Sequence, residues 1–211
     1  MKTLAVMCQK GGVGKTMIAR NLAVYAQQTR RRVVLIDVDP QGSVMKWNLA
    51  REEGQRLDVV KTDISQLRAA LTAAERRHAE LAIIDTPPVL ENVQAHAANL
   101  ADYLLIPTVP RFDDLAATLP TLNIADNSGK PFTTIINQAP HGHVVTADAR
   151  QILEGLGYPP LPFVIHDYAI FWHSAQGSSA IEAEPESSAA EEIKTLFHTN
   201  KEGMNLLAPA P

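Results

Sequence analysis

Short runs of consecutive apolar residues alternate along the chain with longer stretches of helical periodicity. The runs at 4–8, 33–36, 81–84, 103–106, 133–136 and 162–165 have strand length, and a weaker strand fits 57–60. Helical patterns fill 14–28, 43–53, 64–78, 115–126 and 146–154. Strands that are apolar on successive residues, not alternate ones, need cover on both faces. The pattern therefore predicts an α/β fold: a three-layer α/β/α arrangement with a mostly parallel central sheet and right-handed crossovers. Turn chemistry punctuates it at Asp39-Pro40-Gln41-Gly42, Pro87-Pro88, Asn127-Ser128-Gly129, Gly157-Tyr158-Pro159-Pro160 and Gly177-Ser178-Ser179. None of these breaks reads as an interdomain linker. One domain over 1–205 is expected, with a short apolar, proline-bearing tail at 206–211 that frays.

Composition narrows the setting more than the activity. With 211 residues, 45% of them hydrophobic, the chain can bury a substantial core. Twenty-three acidic against 19 basic side chains give a formal charge of -4, so any attraction to DNA has to come from a local patch. The single cysteine, Cys8, excludes a disulfide framework and any all-cysteine metal site built within one chain. No signal-peptide pattern and no run long enough to span a bilayer is present, which points to the reducing cytoplasm.

Chemistry enters directly after the first apolar run, at Lys10-Gly11-Gly12-Val13-Gly14-Lys15-Thr16. A strand leading into a glycine-rich turn and then a helix lets backbone N–H groups wrap a phosphate chain, with the helix dipole adding to the attraction. In a P-loop NTPase, Lys15 neutralises the β- and γ-phosphates and Thr16 places its hydroxyl on Mg²⁺. Gln9, Lys10, Gly11, Gly12, Val13, Gly14, Lys15, Thr16 and Met17 are accordingly expected to cradle ATP or ADP. The loop departs from the common pattern, because Gln9 stands where the first glycine belongs and Lys10 follows it.

Two acidic segments follow in order. Val33-Val34-Leu35-Ile36 ends in Asp37-Val38-Asp39-Pro40-Gln41-Gly42, bringing two carboxylates to the C-terminal edge of the sheet, where ligands of open α/β folds bind. Leu81-Ala82-Ile83-Ile84-Asp85 is an apolar strand closed by an aspartate, as in a Walker B element. Asn137, after Thr134-Ile135-Ile136, is placed either against adenine or as a turn cap, and the segment 162–167, at another strand end, is a second candidate for contact with the base.

Together these segments resemble the ParA/MinD family of deviant-Walker ATPases, whose loop reads K-G-G-x-G-K-[ST] and whose second motif reads D-x-D-P-Q. The resemblance extends to Trp47, to Ile106-Pro107-Thr108-Val109-Pro110 with Asp113 or Asp114, and to Ala175-Gln176-Gly177. It implies that two copies face each other around two nucleotides and that Lys10 crosses to the partner's phosphates. Catalysis is then carried by Lys10, Lys15 and Asp39, with Asp39 orienting the attacking water. Thr16, Asp37 and Asp85 hold the Mg²⁺ shell, although Asp37 equally fits a cap on the next helix. Two ATP groups pressed together repel unless cations are inserted between them, so ATP would close the dimer and hydrolysis would release it. Met17 departs from the family's usual second threonine. Ile165-His166-Asp167-Tyr168 lacks an arginine that many relatives carry.

By that resemblance, and with no N-terminal helix-turn-helix, the leading expectation is a ParF-like plasmid or chromosome partition ATPase. It would bind nucleoid DNA without sequence preference, work with a ParB-like centromere-binding partner and hydrolyse ATP slowly until stimulated. Arg30, Arg31, Arg32, Arg150, Lys194 and Lys201 are the basic residues available to phosphates. The alternative within the family positions a protein cargo, such as a carboxysome or a chemoreceptor cluster. A MinD-like membrane switch ends in a basic amphipathic helix, which 195–211 does not resemble, so no stable membrane association is expected. A small-molecule kinase has no evident use for Lys10. The nitrogenase iron-protein branch needs two cysteines per subunit. Trp47 and Trp172 are expected to pack or to meet a partner, and His141 and His143 to be solvated.

Overall fold

The computed structural model describes residues 1–88, 91–142 and 144–204. His143 and the tail at 206–211 lie outside these residues. The strands are β1 (Lys2–Val6), β2 (Val33–Asp37), β3 (Asp58–Lys61), β4 (Leu81–Asp85), β5 (Tyr103–Thr108), β6 (Phe132–Ala139) and β7 (Pro160–His166). They form one sheet in the order β3-β2-β4-β1-β5-β6-β7. Every described pairing is parallel, so the sheet is wholly rather than mostly parallel among the described residues.

The helices are α1 (Lys15–Gln28), α2 (Ser43–Leu49), α3 (Leu67–Arg76), α4 (Glu91–Leu100), α5 (Phe112–Ser128), α6 (Val144–Gly155), α7 (Ala169–His173), α8 (Ala180–Ala183) and α9 (Ser188–Gly203). Alternate residues of each inner strand feed two separate cores, as the period-2 geometry of a strand demands. Leu4 and Val6 of β1 join Leu35, Ile83 and Leu105 under α1, α8 and α9. Ala5 and Met7 join Ile36, Ile84 and Ile106 under α3, α4, α5 and α6. Both cores are apolar, which is why the strand runs show no polar alternation.

Boundaries shift from the sequence expectation where side chains stop reporting on the backbone. β1 begins at Lys2, because Lys2 pairs with Leu81; Cys8 lies past its end, buried beside Val13 and Val109. α4 has no counterpart among the expected helices. Its segment buries Gln94, Ala97 and Ala98, a face too small and too polar to give a strong periodic signal. α2 ends at Leu49, short of the expected 53.

No helix among the described residues is long and apolar enough to cross a membrane.

Candidate functional site

The loop between β1 and α1 opens at the C-terminal edge of the sheet, the position that parallel sheets reserve for ligands. Gly14 caps α1 in a left-handed conformation and no side chain caps the helix, so the first amides of α1 are left to solvent or a ligand. Lys15, the first residue of α1, is buried and donates from Nζ to the Lys10 carbonyl at 3.0 Å. Burial lowers its pKa, with Cys8, Asp85 and Asp39 pulling the other way. The loop is braced from β6: Asn137 Nδ2 donates to the Val13 carbonyl at 2.8 Å and Gln138 Nε2 to the Gly12 carbonyl at 2.9 Å. Gln138 adopts φ 55 to do so.

Thr16 donates its hydroxyl to Asp85 Oδ2 at 2.7 Å, while Asp85 Oδ1 is buried with no partner. An ionisable oxygen left unsatisfied next to a hydroxyl, at the end of a buried strand, suits a cation or its water shell. Burial drives the Asp85 carboxyl up to about 7, with the Thr16 hydrogen bond opposing. Between its ordinary value of 3.8 and about 7, the folded chain therefore holds a proton that the unfolded chain has released. Stability falls as pH rises through that window. Asp85→Asn keeps the acceptor for Thr16 and removes the charge, so near pH 8 the ligand-free variant should resist urea better than wild type, by up to about 4 kcal/mol. The gain should vanish by about pH 4. A variant less stable than wild type at the higher pH would contradict burial as the cause.

The two aspartates of the second motif divide their work. Asp37 is fully buried; its Oδ1 accepts the Asp39 amide at 3.0 Å, and its Oδ2 accepts the amides of Val44 and Met45 at 3.1 and 3.2 Å. It thus satisfies the open amides at the start of α2, the capping arrangement that the sequence left open beside a metal role. Burial raises its pKa, with the Met45 amide opposing. Asp39 instead faces the cleft, and its Oδ1 accepts the Gln41 amide at 2.9 Å.

A cleft of about 370 Å³ collects Gly11, Gly12, Gly14, Lys15, Thr16, Met17 and Asp39 on one wall. The same cleft is lined by Asp167, which closes the 162–167 segment expected near the base, by Trp172, and by Gln138, Phe171 and Ala175, for which the sequence carries no site signal of its own. The volume suits a nucleotide-sized ligand. Trp172 is 65% exposed and donates Nε1–H to Asp167 Oδ1 at 3.2 Å. Arg20 also lines the cleft; its place four residues after Thr16 on one helix was a signal available in the sequence. Gln9, Lys10, Val13, Asp37, Asp85 and Asn137 stand behind or beside the lining. Asn137 lies beneath the loop, fully buried.

Lys10 is held on its own chain, with Nζ 3.3 Å from Asp114 Oδ1, and its side chain is 42% exposed. Arg111 approaches the other oxygen of Asp114 at 3.7 Å. Several of the basic residues considered for DNA are also engaged internally: Arg32 with the His78 carbonyl, Arg150 with the Pro160 carbonyl, and Lys194 with Glu191 and the Pro185 carbonyl.

Comparison with known proteins agrees with this geometry. Residues 4–207 match the family described as the CobQ/CobB/MinD/ParA nucleotide binding domain. The chain is similar to proteins named maintenance of carboxysome distribution protein A. It is 29% identical to that of Halothiobacillus neapolitanus, covering 93% of this chain and 94% of the relative. It is 31% identical to that of Gloeobacter kilaueensis, covering 91% and 94%. Similarity to the chromosome-partitioning ATPase Soj of Thermus thermophilus, at 28% identity, covers 58% of this chain and 61% of that one. Among solved structures, the MinD protein of Pyrococcus horikoshii in complex with Mg-ADP shares the fold with a TM-score of 0.77 at 18% identity, over 99% of each chain. A phosphate loop braced by β6, an aspartate closing β4 beside Thr16, and a family match over nearly the whole length lead to one conclusion: this chain belongs to the CobQ/CobB/MinD/ParA nucleotide-binding family.

Proposed function

We propose that this protein is an ATP-hydrolysing positioning switch, a single domain over 1–205 that closes into a dimer around two ATP molecules and opens after hydrolysis. The observation that carries this reading is the division of the two loop lysines. Lys15 is buried and committed to its own cleft. Lys10 stands outside the cleft lining, half exposed, where a second copy's phosphates could replace Asp114 as its partner.

Gly11, Gly12, Gly14 and Lys15 bind the phosphate chain, and Thr16 and Asp85 hold Mg²⁺, whose charge offsets that of the β- and γ-phosphates. Asp37 keeps the Asp39 segment in place through three amides. Asp39 orients the attacking water, a task that asks for position more than basicity.

Relatives aligned over nearly the full chain are named for carboxysome distribution. That favours a protein assembly as cargo over the plasmid cargo suggested by the ParF-like resemblance. DNA serves in this reading as the non-specific surface on which the ATP-bound dimer is retained, and an adaptor on the cargo stimulates hydrolysis. Partition with a ParB-like partner is the second reading, supported by the Soj relative over its shorter span.

Lys10→Ala tests the switch directly. Sedimentation with ATP and Mg²⁺ should find the variant monomeric where wild type dimerises, while its ATP affinity stays close to wild type. Dimerisation that survives the substitution would remove the mechanism.

A further inference from the structure

Arg20 is a cation for which the loop motif has no use. It follows Thr16 by one helical turn on α1, so the two side chains share a face of the helix. The residue is 9% exposed, yet its Nε is buried without an acceptor. Its close partner is the face of Trp47, with Cζ 5.2 Å from the ring centroid. Asn21, the next residue of α1, shows what a structural polar group looks like here. It is buried still more deeply, and its amide donates to the Met17 carbonyl at 2.8 Å and accepts the Ala180 amide at 3.0 Å.

A guanidinium carries five donors in a fixed fork, and burying one without acceptors is costly unless an anion completes it. The ring beneath Arg20 already has a cation. Arg51 lies 4.6 Å from the same centroid and pairs with Glu182, and the Trp47 Nε1–H is fixed on the Ser178 carbonyl at 2.7 Å. Arg20 is therefore not needed to hold Trp47 in place, whereas it shares the cleft wall with Lys15, Thr16 and Asp39.

We propose that Arg20 is a second cis-acting cation of the cleft, its guanidinium, whose Nε–H lacks an acceptor, donating to the phosphate chain of the bound nucleotide. This deepens the nucleotide reading above and rests on it. A phosphate oxygen supplies the acceptor that Nε lacks in the protein, and the position over the Trp47 ring keeps the fork aimed along the wall.

The test compares wild type with Arg20→Met in the full chain. Calorimetric titration uses ATP and inorganic tripolyphosphate, each with Mg²⁺, and thermal melting is followed without ligand. The proposal expects Arg20→Met to lose about 10- to 100-fold in affinity for both ligands, because charge-assisted hydrogen bonds to phosphate are lost. Its ligand-free melting temperature should match or exceed that of wild type, since burial of the guanidinium, with no hydrogen-bond acceptor at Nε, costs more than the attraction of Asp85 returns. Arg20→Lys should recover part of the affinity. Should the methionine variant not fold, Arg20→Gln carries the same comparison. Unchanged affinity for both ligands would overturn the proposal and leave Arg20 as a spacer between α1 and α2. A loss for ATP without a loss for tripolyphosphate would overturn the phosphate assignment. A wild-type protein that binds neither ligand would overturn the nucleotide reading and this inference together.

Discussion

Replacing Gly14 with alanine is expected to lower ATP affinity by at least about a hundredfold, the equivalent of roughly 3 kcal/mol of distortion in the loop. Gly14 sits at φ 91, a region that side chains bearing a Cβ rarely enter. A Cβ built there collides with the amide nitrogen of Asn137. Asn137 has nowhere to retreat: it is fully buried, and the same nitrogen holds the Val13 carbonyl at 2.8 Å. Relief of the clash breaks that bond and strands a loop carbonyl, so the phosphate amides lose their common orientation. Calorimetry with ATP and urea denaturation report the two consequences, and a stability loss of about 2–4 kcal/mol should accompany the loss of binding. Gly12→Ala is the informative control. Gly12 also has a positive φ, of 78, but a Cβ there meets nothing within 4 Å, so its effect should be smaller. Equal effects would mean that backbone strain, not the Asn137 brace, governs the loop.

Asp39→Ala is expected to reduce ATP turnover by about a hundredfold or more while leaving ATP bound. Its carboxylate faces the cleft, and its backbone is pinned by Asp37. Removing it leaves Lys15, Thr16 and Asp85 in place, so binding and closure persist while the step that ends them slows. Phosphate release measured alongside sedimentation should therefore show a long-lived ATP dimer. Turnover near the wild-type rate would assign the positioning of water to another group. Asp37→Ala should act differently, loosening α2 and lowering stability, because its oxygens are occupied by amides of the chain itself.

The sequence by itself determined the α/β class, the strand-loop-helix context of the phosphate loop, and the order of Lys15, Thr16, Asp39 and Asp85. Each strand, helix and motif behind them is written in residues within a few positions of one another, where apolar runs and turn chemistry dictate backbone geometry directly. α4 escaped because Gln94, Ala97 and Ala98 bury too little to leave a pattern. Tertiary structure alone decided how the side chains were shared out. It turned Asp37 toward the amides of α2, set Asn137 beneath the loop, tied Lys10 to Asp114 across about a hundred residues, placed Arg20 over the Trp47 ring and brought Trp172 to the cleft wall. No spacing encodes those choices, because they arise where separately formed helices and strand ends meet, and each buried charge takes the partner that packing leaves within reach.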